Sequence, residues 1–208
     1  MLKTTNDHKK YWKERKIDWD AHYLATWNHP HRELIMYALT MFPWVSLWEL
    51  GCGPGANLVR IVKSFKNKNL GGSDINEDAI ALARKTFVGG RFRVESSEDT
   101  LMSENSVDVV LSDAHLIYFG PTKINKVVKE MVRIARNNLV LFELHEPSLL
   151  KRIWLRLRRG YNAYDYRKLL ESNGCYNVQI IKMPKQYWPG TPWEEYGHII
   201  IAKPIKIQ

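Results

Sequence analysis

The sequence predicts an α/β fold with a mostly parallel sheet, and three observations support this. Strand-like and helix-like segments alternate along the chain after its first 43 residues. The first strand, residues 45–50, breaks into a turn that contains Gly51, Gly53 and Gly55. A helical pattern follows at once, with the apolar residues Leu58, Ile61, Val62 and Phe65 on one face. Strand, glycine turn and helix make the first half of a nucleotide-binding βαβ unit.

Composition indicates an ordinary globular protein of one domain. The 208 residues are 45% apolar and 25% charged, which is enough to form a proper core. No apolar run has the length of a membrane span, and the first residues do not resemble a signal peptide. The two cysteines do not suggest a disulfide framework, so a cytoplasmic location is expected. The net charge of +9 favours an anionic substrate or partner.

Residues 1–43 are predicted to form an N-terminal helical extension ahead of the sheet domain, residues 44–208. Residues 1–28 are basic and aromatic, and we expect them either to pack as a helix on the domain or to close over a ligand as a flap. A further helix begins near Pro30 and ends at Pro43. Two histidines lie at its start, but no cysteine or acid cluster joins them, so no metal site is expected.

The remaining elements follow in order. Strands are predicted at residues 69–75, 91–94, 106–113 and 138–144, with helices beginning near residues 76, 120 and 164. Two more strands, residues 176–182 and 197–202, complete the chain. Ligands of an open parallel sheet bind outside the carboxyl ends of its strands. The polar residues expected to meet at that rim are Glu49, Asp74, Ser97, Asp113, His115, His145 and Glu146.

Two acids beside the glycine turn narrow the choice of ligand. Glu49 lies two residues before Gly51, and Asp74 ends the second strand. This pattern resembles the class I S-adenosylmethionine-dependent methyltransferases, whose glycine motif runs acid-x-Gly-x-Gly-x-Gly, and the resemblance covers residues 44–143. It implies a Rossmann-like domain with a seven-stranded sheet of order 3-2-1-4-5-7-6, an antiparallel last strand and helices on both faces. It also implies S-adenosylmethionine as cofactor and methyl transfer as the reaction.

The resemblance implies a cofactor site at the rim. Asp74 is expected to accept hydrogen bonds from the ribose hydroxyls, since Asn76 is the better candidate for the helix cap. Similar methyltransferases have Gly-Asp-Ala where this chain has Glu95-Ser96-Ser97, so the contact to the adenine amine stays open between Ser96, Glu98 and Asp99. The predicted cofactor-binding residues are Glu49, Gly51, Cys52, Gly53, Gly55, Asp74, Ile75, Ser96, Ser97, Glu98, Asp113 and Ala114.

The methyl acceptor is expected to be a small anionic or aromatic molecule that is methylated on oxygen or nitrogen. Such a displacement needs alignment and a dry site, and a base only where the nucleophile loses a proton early. His115 and His145 are the candidate bases, and each also suits a structural role. Aromatic residues of the extension and of the loop before the last strand are expected to form the acceptor walls. The predicted acceptor-site residues are Tyr11, Trp12, His115, Tyr118, His145, Tyr187 and Trp188.

Other classes of function were weighed against this interpretation. A nicotinamide-dependent oxidoreductase predicts a glycine turn near the chain start, which this sequence lacks. The net charge supports an RNA-directed methyltransferase or a basic nucleic-acid-binding protein. However, the Asn-Pro-Pro-Tyr signature of base-amine methylation is replaced by Asp113-Ala-His-Leu116. A non-catalytic member of the family that only binds the cofactor is a further alternative.

The basic run at residues 149–159 suits nucleic acid, an anionic membrane surface, an acidic substrate or simple packing.

Overall fold

The computed structural model describes residues 5–206, with side chains from Lys9 onward, and begins with three helices. These are α1 (Thr5–Glu14), α2 (Trp19–Thr26) and α3 (His31–Leu39). Residues 1–4 of the predicted extension lie outside the described residues. The Asp18 side chain caps α2 by accepting a hydrogen bond of 2.9 Å from the Ala21 amide, which separates α2 from α1.

A seven-stranded sheet follows, in the order β3-β2-β1-β4-β5-β7-β6. Its strands are β1 (Ser46–Leu50), β2 (Asn69–Asp74), β3 (Arg91–Val94), β4 (Val107–Asp113), β5 (Ala135–Leu144), β6 (Cys175–Lys182) and β7 (Gly197–Pro204). Strands β1 to β5 pair in parallel, whereas β7 is antiparallel to both β5 and β6. The predicted fold class and strand order are therefore confirmed.

The remaining helices connect these strands. They are α4 (Ala56–Ser64), α5 (Glu77–Thr86), α6 (Ile124–Ile134), α7 (Leu149–Arg159), α8 (Tyr166–Glu171) and α9 (Trp193–Tyr196), with a 3-10 turn at Leu116–Tyr118. The sequence pattern places Ala135 on the apolar face of α6, but its ψ of 131° is extended and it begins β5 instead. Within residues 5–206, no helix is long and apolar enough to cross a membrane.

Helices cover both faces of the sheet. Leu47 and Trp48 are neighbours on β1, yet they belong to different core clusters because successive strand residues point to opposite faces. Helices α3, α4 and α5 pack on the Leu47 face, and α6 and α8 pack on the Trp48 face. Six residues of α3 are buried, so the last helix of the predicted extension belongs to the core of the sheet domain.

The first two helices are attached to α5 at the carboxyl end of the sheet. Asn76 caps α5 by accepting a hydrogen bond of 3.0 Å from the Ala79 amide. Its side-chain nitrogen donates to the backbone carbonyls of Trp12 (2.8 Å) and Arg15 (3.0 Å). Trp19 packs with Ala79 and Leu82 of α5. These contacts place α1 and α2 above the strand ends.

Candidate active site

A cavity of about 330 Å³ lies where the carboxyl ends of β1, β2 and β4 meet the N-terminal helices. Most of the predicted site residues line it. These are Glu49, Gly51, Cys52, Gly53, Asp74, Ile75, Ser96, Ser97, Glu98, Asp113, Ala114, His115, Trp12, Tyr118 and Trp188. The residues of the predicted cofactor and acceptor sites that do not line it are Gly55, Tyr11, His145 and Tyr187. Glu146, expected at the rim, and Asp99, a candidate for the adenine amine, do not line it either. The cavity therefore lies at the carboxyl ends of the strands, and the residues outside it have other surroundings.

The glycine turn is built around the end of β2. Gly51 and Gly53 have positive φ angles of 70° and 50°, which side chains rarely adopt. The Gly51 amide donates to the Ser73 carbonyl at 2.8 Å, and a Cβ on Gly51 would overlap the His115 ring. Gly55 has a φ of 82° and precedes α4, where it faces Ala83 and Phe92 rather than the cavity.

Asp74 is held beside this turn by backbone donors. Its carboxylate accepts hydrogen bonds from the Gly53 amide (3.0 Å) and the Asn76 amide (2.9 Å). Burial raises the pKa of Asp74, although these hydrogen bonds oppose the shift. Because Asn76 caps α5, Asp74 is not needed for that task and keeps its position at the cavity.

A buried polar network joins the sheet to α3, and it comprises Glu49, Asn57, Asp113, His31 and Arg32. Asn57 Nδ2 donates to Glu49 Oε1 at 2.6 Å and to Asp113 Oδ2 at 2.9 Å. His31 Nε2 lies 2.8 Å from Asp113 Oδ2, and Arg32 Nη1 lies 3.8 Å from the same oxygen. Arg32 also donates to the Asn57 side chain and to the Thr26 carbonyl. The network fixes the start of α3 against the strand ends.

Sequence reasoning missed three members of this network, Asn57, His31 and Arg32, as site residues. A usable signal is present for Arg32, which shares one helix face with Ile35 and Leu39 at the spacing i, i+3, i+7. A charged residue on a buried apolar face must find a partner of opposite charge. The partner, Asp113, is far away in sequence, and local patterns do not reveal such pairs.

The two carboxyl groups of the network differ in charge. Burial raises the pKa of Glu49 to about 8, despite the hydrogen bond from Asn57. Burial also acts on Asp113, but the charges of His31 and Arg32 outweigh it and hold the pKa of Asp113 below its usual value. Glu49 Oε2 and Asp113 Oδ1 are buried without a hydrogen-bond partner among the described residues. Two such oxygens suit a ligand that brings a cation or hydrogen-bond donors.

His115 lies in the cavity wall and is uncharged at neutral pH. Its Nε2 is 2.8 Å from the Ser97 hydroxyl, and its backbone amide donates to Glu143 Oε1 at 3.0 Å. Burial lowers the pKa of His115 to about 4. An imidazole of this pKa stays neutral near pH 7, accepts hydrogen bonds well and is a weak proton acceptor.

The structure corrects the prediction for His145, which lies outside the cavity. Its Nδ1 accepts a hydrogen bond of 3.2 Å from the Tyr166 amide, and its ring centre is 5.1 Å from that of His198. The side chain therefore points toward α8 and β7. The position of a residue just beyond a strand end does not determine the direction in which its side chain points.

Aromatic rings from two segments form the outer wall of the cavity. The Trp12 ring lies 5.0 Å from the Tyr118 ring. On the other side, Trp188 of the loop at residues 183–192 stacks on Trp193 at 3.9 Å and lies 4.1 Å from His31. Of the predicted acceptor residues outside this wall, Tyr187 packs against the core under α3, and Tyr11 contacts the Trp12 ring at 5.4 Å.

Comparison with known proteins identifies the family. Residues 48–138 match a family model described as a methyltransferase domain. The chain therefore contains a methyltransferase domain, which confirms the predicted resemblance to the class I S-adenosylmethionine-dependent methyltransferases. The cofactor of this methyltransferase is S-adenosylmethionine. No curated protein sequence matches the chain.

Solved structures share the fold of this methyltransferase. The magnesium protoporphyrin IX methyltransferase of Synechocystis PCC 6803 has a TM-score of 0.65 at 14% identity, over 99% of both chains. A Thermotoga maritima protein described as a possible histamine N-methyltransferase has a TM-score of 0.65 at 14% identity, over 97% of this chain and 99% of that one. A Methanosarcina mazei S-adenosylmethionine-dependent methyltransferase has a TM-score of 0.63 at 17% identity, over 82% and 98%. At such identities the likeness concerns the fold.

The cofactor-free methyltransferase is expected to lose thermal stability between about pH 6.5 and pH 8. Burial raises the pKa values of both Glu49 and Glu143 to about 8, whereas an unfolded glutamate titrates near 4.3. The folded state therefore binds protons that the unfolded state has released, and its stability falls as pH rises through the folded pKa. Below this range the histidines, whose pKa values burial lowers, reverse the slope.

Melting temperatures measured across this pH range test the expectation, with Glu49→Gln as the comparison. The variant lacks one of the two titrating groups, so its melting temperature should depend less steeply on pH. A wild-type melting temperature that rises from pH 6.5 to pH 8, or equal slopes for both proteins, would contradict the assignment.

Proposed function

We propose that this methyltransferase transfers the methyl group to an oxygen or nitrogen atom of a small aromatic or anionic acceptor. The observation that carries the proposal is the outer wall of the cavity, where Trp12, Tyr118 and Trp188 stand with Lys9 and Lys123. Aromatic faces suit a planar acceptor, and ammonium groups suit an anionic one. Both lysines lie 3.6 Å from Glu98, which holds them at the cavity.

The cofactor residues are proposed from the same geometry. Asp74, fixed by two backbone amides, is positioned to accept hydrogen bonds from the ribose hydroxyls. The unpartnered oxygens of Glu49 and Asp113 suit the ammonium group at the amino-acid end of the cofactor, and Arg32 suits its carboxylate. Ser96 and Glu98 remain the candidates for the adenine amine, since both line the cavity.

The chemistry asks little acid or base work of the protein. When bound, S-adenosylmethionine would supply an electrophilic methyl carbon on a positively charged sulfur and would leave as S-adenosylhomocysteine. The role of the chain is to align the acceptor with this carbon and to exclude water. An acceptor that carries a proton can hydrogen-bond to neutral His115, whose pKa of about 4 makes it a positioning group rather than a strong base.

Trp188→Ala is expected to lower kcat/KM for the acceptor by about tenfold or more and to change cofactor affinity by less than about threefold. The reason is that the Trp188 ring lies in the outer wall, against His31 at the start of α3 and stacked on Trp193. A panel of small aromatic and anionic compounds, followed by release of S-adenosylhomocysteine, identifies an acceptor for this measurement.

Trp154→Ala is the matched control, because this half-exposed tryptophan lies on α7 outside the cavity lining. Equal turnover for the wild type and Trp188→Ala would refute the wall assignment. Methylation of RNA oligonucleotides with no response to any small compound would refute the proposed acceptor class.

A further inference from the structure

Helix α7 exposes an apolar stripe to solvent. Its five members range from 47% exposed for Ile153 to 78% exposed for Leu150. They are Leu149, Leu150, Ile153, Trp154 and Leu157. At 3.6 residues per turn these positions cover about 140° of the helix circumference. Leu155 lies on the other side and is buried with Ile117 and Tyr196, so the stripe faces away from the protein.

Cations flank this stripe on both sides. The five basic residues of α7 are Lys151, Arg152, Arg156, Arg158 and Arg159, and the helix contains no acidic residue. Lys151 lies 3.8 Å from Glu146, and the Arg158 guanidinium lies over the Trp154 ring at 5.7 Å. A solvent-facing apolar stripe between rows of cations is typical of helices that lie in the surface of a membrane. There the apolar side chains enter the acyl region and the cations contact anionic headgroups.

We infer that α7 docks this methyltransferase on an anionic lipid bilayer. A lipid surface accounts for both the exposed apolar stripe and the cations beside it, whereas each other occupant accounts for only one of these features. An RNA backbone would pair with the arginines but leave the five apolar side chains in water. A second copy, paired through the same face, would bring two helices with five cations each into contact. Charge complementarity therefore favours the membrane.

The docked face lies beside the active site. Leu155 belongs to the apolar cluster that also contacts Tyr118 and Trp188 of the cavity wall. At the end of the helix, Arg159 Nη2 donates to Thr191 Oγ1 at 3.0 Å and so ties α7 to the loop that carries Trp188. A methyltransferase bound through α7 would hold its outer cavity wall close to the lipid surface.

Vesicle cosedimentation tests the inference. The wild type is expected to bind vesicles of phosphatidylcholine with phosphatidylglycerol, and to bind vesicles of phosphatidylcholine alone at least about tenfold more weakly. Leu150→Glu/Leu157→Glu is expected to reduce binding to the anionic vesicles by about tenfold or more, since charged groups oppose insertion. Both positions are exposed, so the variant should keep its circular dichroism spectrum and melting temperature.

A matched control distinguishes the stripe from apolar exposure in general. Val88 and Leu101 are 90% and 82% exposed and lie before and after β3 in the sequence, outside α7. Val88→Glu/Leu101→Glu adds the same two charges and should bind vesicles like the wild type.

Three results would overturn the inference. The first is no binding of the wild type to anionic vesicles. The second is equal binding by the wild type and Leu150→Glu/Leu157→Glu. The third is occupation by another partner, seen either as RNA binding without vesicle binding, or as a dimer in light scattering that Leu150→Glu/Leu157→Glu converts to a monomer.

Discussion

Asp113→Ala is expected to lower the free energy of unfolding by about 3 kcal/mol, the lower end of the range for breaking a buried ion pair. Asp113 Oδ2 lies within 2.9 Å of both His31 Nε2 and Asn57 Nδ2, so its loss leaves both without that acceptor. Arg32 would also lose the carboxylate that lies 3.8 Å from its Nη1, while remaining buried. We expect the lower end of this range of destabilisation because the cavity beside these groups can admit water, which would hydrate the unpaired side chains. Urea unfolding followed by circular dichroism gives the measurement.

Asp99→Ala is the control for this prediction, since Asp99 is an exposed aspartate that directly follows Glu98 of the cavity lining. It should change the free energy of unfolding by less than about 0.5 kcal/mol. A value for Asp113→Ala as small as that of the control would show that the network contributes little to stability.

Gly51→Ala is expected to destabilise the fold by about 2–5 kcal/mol, from backbone strain and overpacking together. The φ of 70° at Gly51 disfavours any side chain, and the added Cβ would overlap the ring of His115. Displacing that ring also disturbs its hydrogen bond to Ser97 at the cavity wall. Affinity for S-adenosylmethionine should therefore fall by at least about tenfold, measured by calorimetry.

Gly160→Ala is a control that separates the effect of backbone strain from the effect of steric overlap with a neighbouring side chain. Gly160 has a φ of 74°, close to that of Gly51, but a Cβ there meets no atom within 4 Å. This variant should lose only about 1–2 kcal/mol from the left-handed backbone and keep full cofactor affinity. Equal losses for the two variants would show that contact with His115 is unimportant.

The sheet could be predicted closely because its signals are local. β3 was predicted at its observed bounds, and β1, β2 and β4 within one residue, since each is a short run with clear breaks. The two glycines of β2 are required by contacts with residues distant in sequence, which no local pattern reveals. A Cβ on Gly71 would overlap the Trp48 ring, and one on Gly72 would crowd Cys52.

The site was predictable only in part, because the direction of a side chain depends on packing between distant segments. Glu143 shows this well. The sequence predicts only that it lies in a strand, yet it is fully buried and accepts hydrogen bonds from Ser112 Oγ (2.9 Å) and the Leu116 amide (2.8 Å). The fold brings β4 and β5 together and so creates this arrangement. Spacing along the chain contains no such information.

The uneven attachment of the N-terminal helices has a consequence for how ligands reach the cavity. Among the described side chains of α1 and α2 only Trp19 is buried, whereas α3 buries six residues, four of them in the hydrophobic core. Segments with few buried contacts open at a lower free energy than the whole fold, often as one cooperative unit. We therefore expect residues 5–26 to open as such a unit, so that their amide protons exchange with solvent well before those of α3. The cavity can thus be uncovered by local unfolding while the sheet and the polar network stay intact.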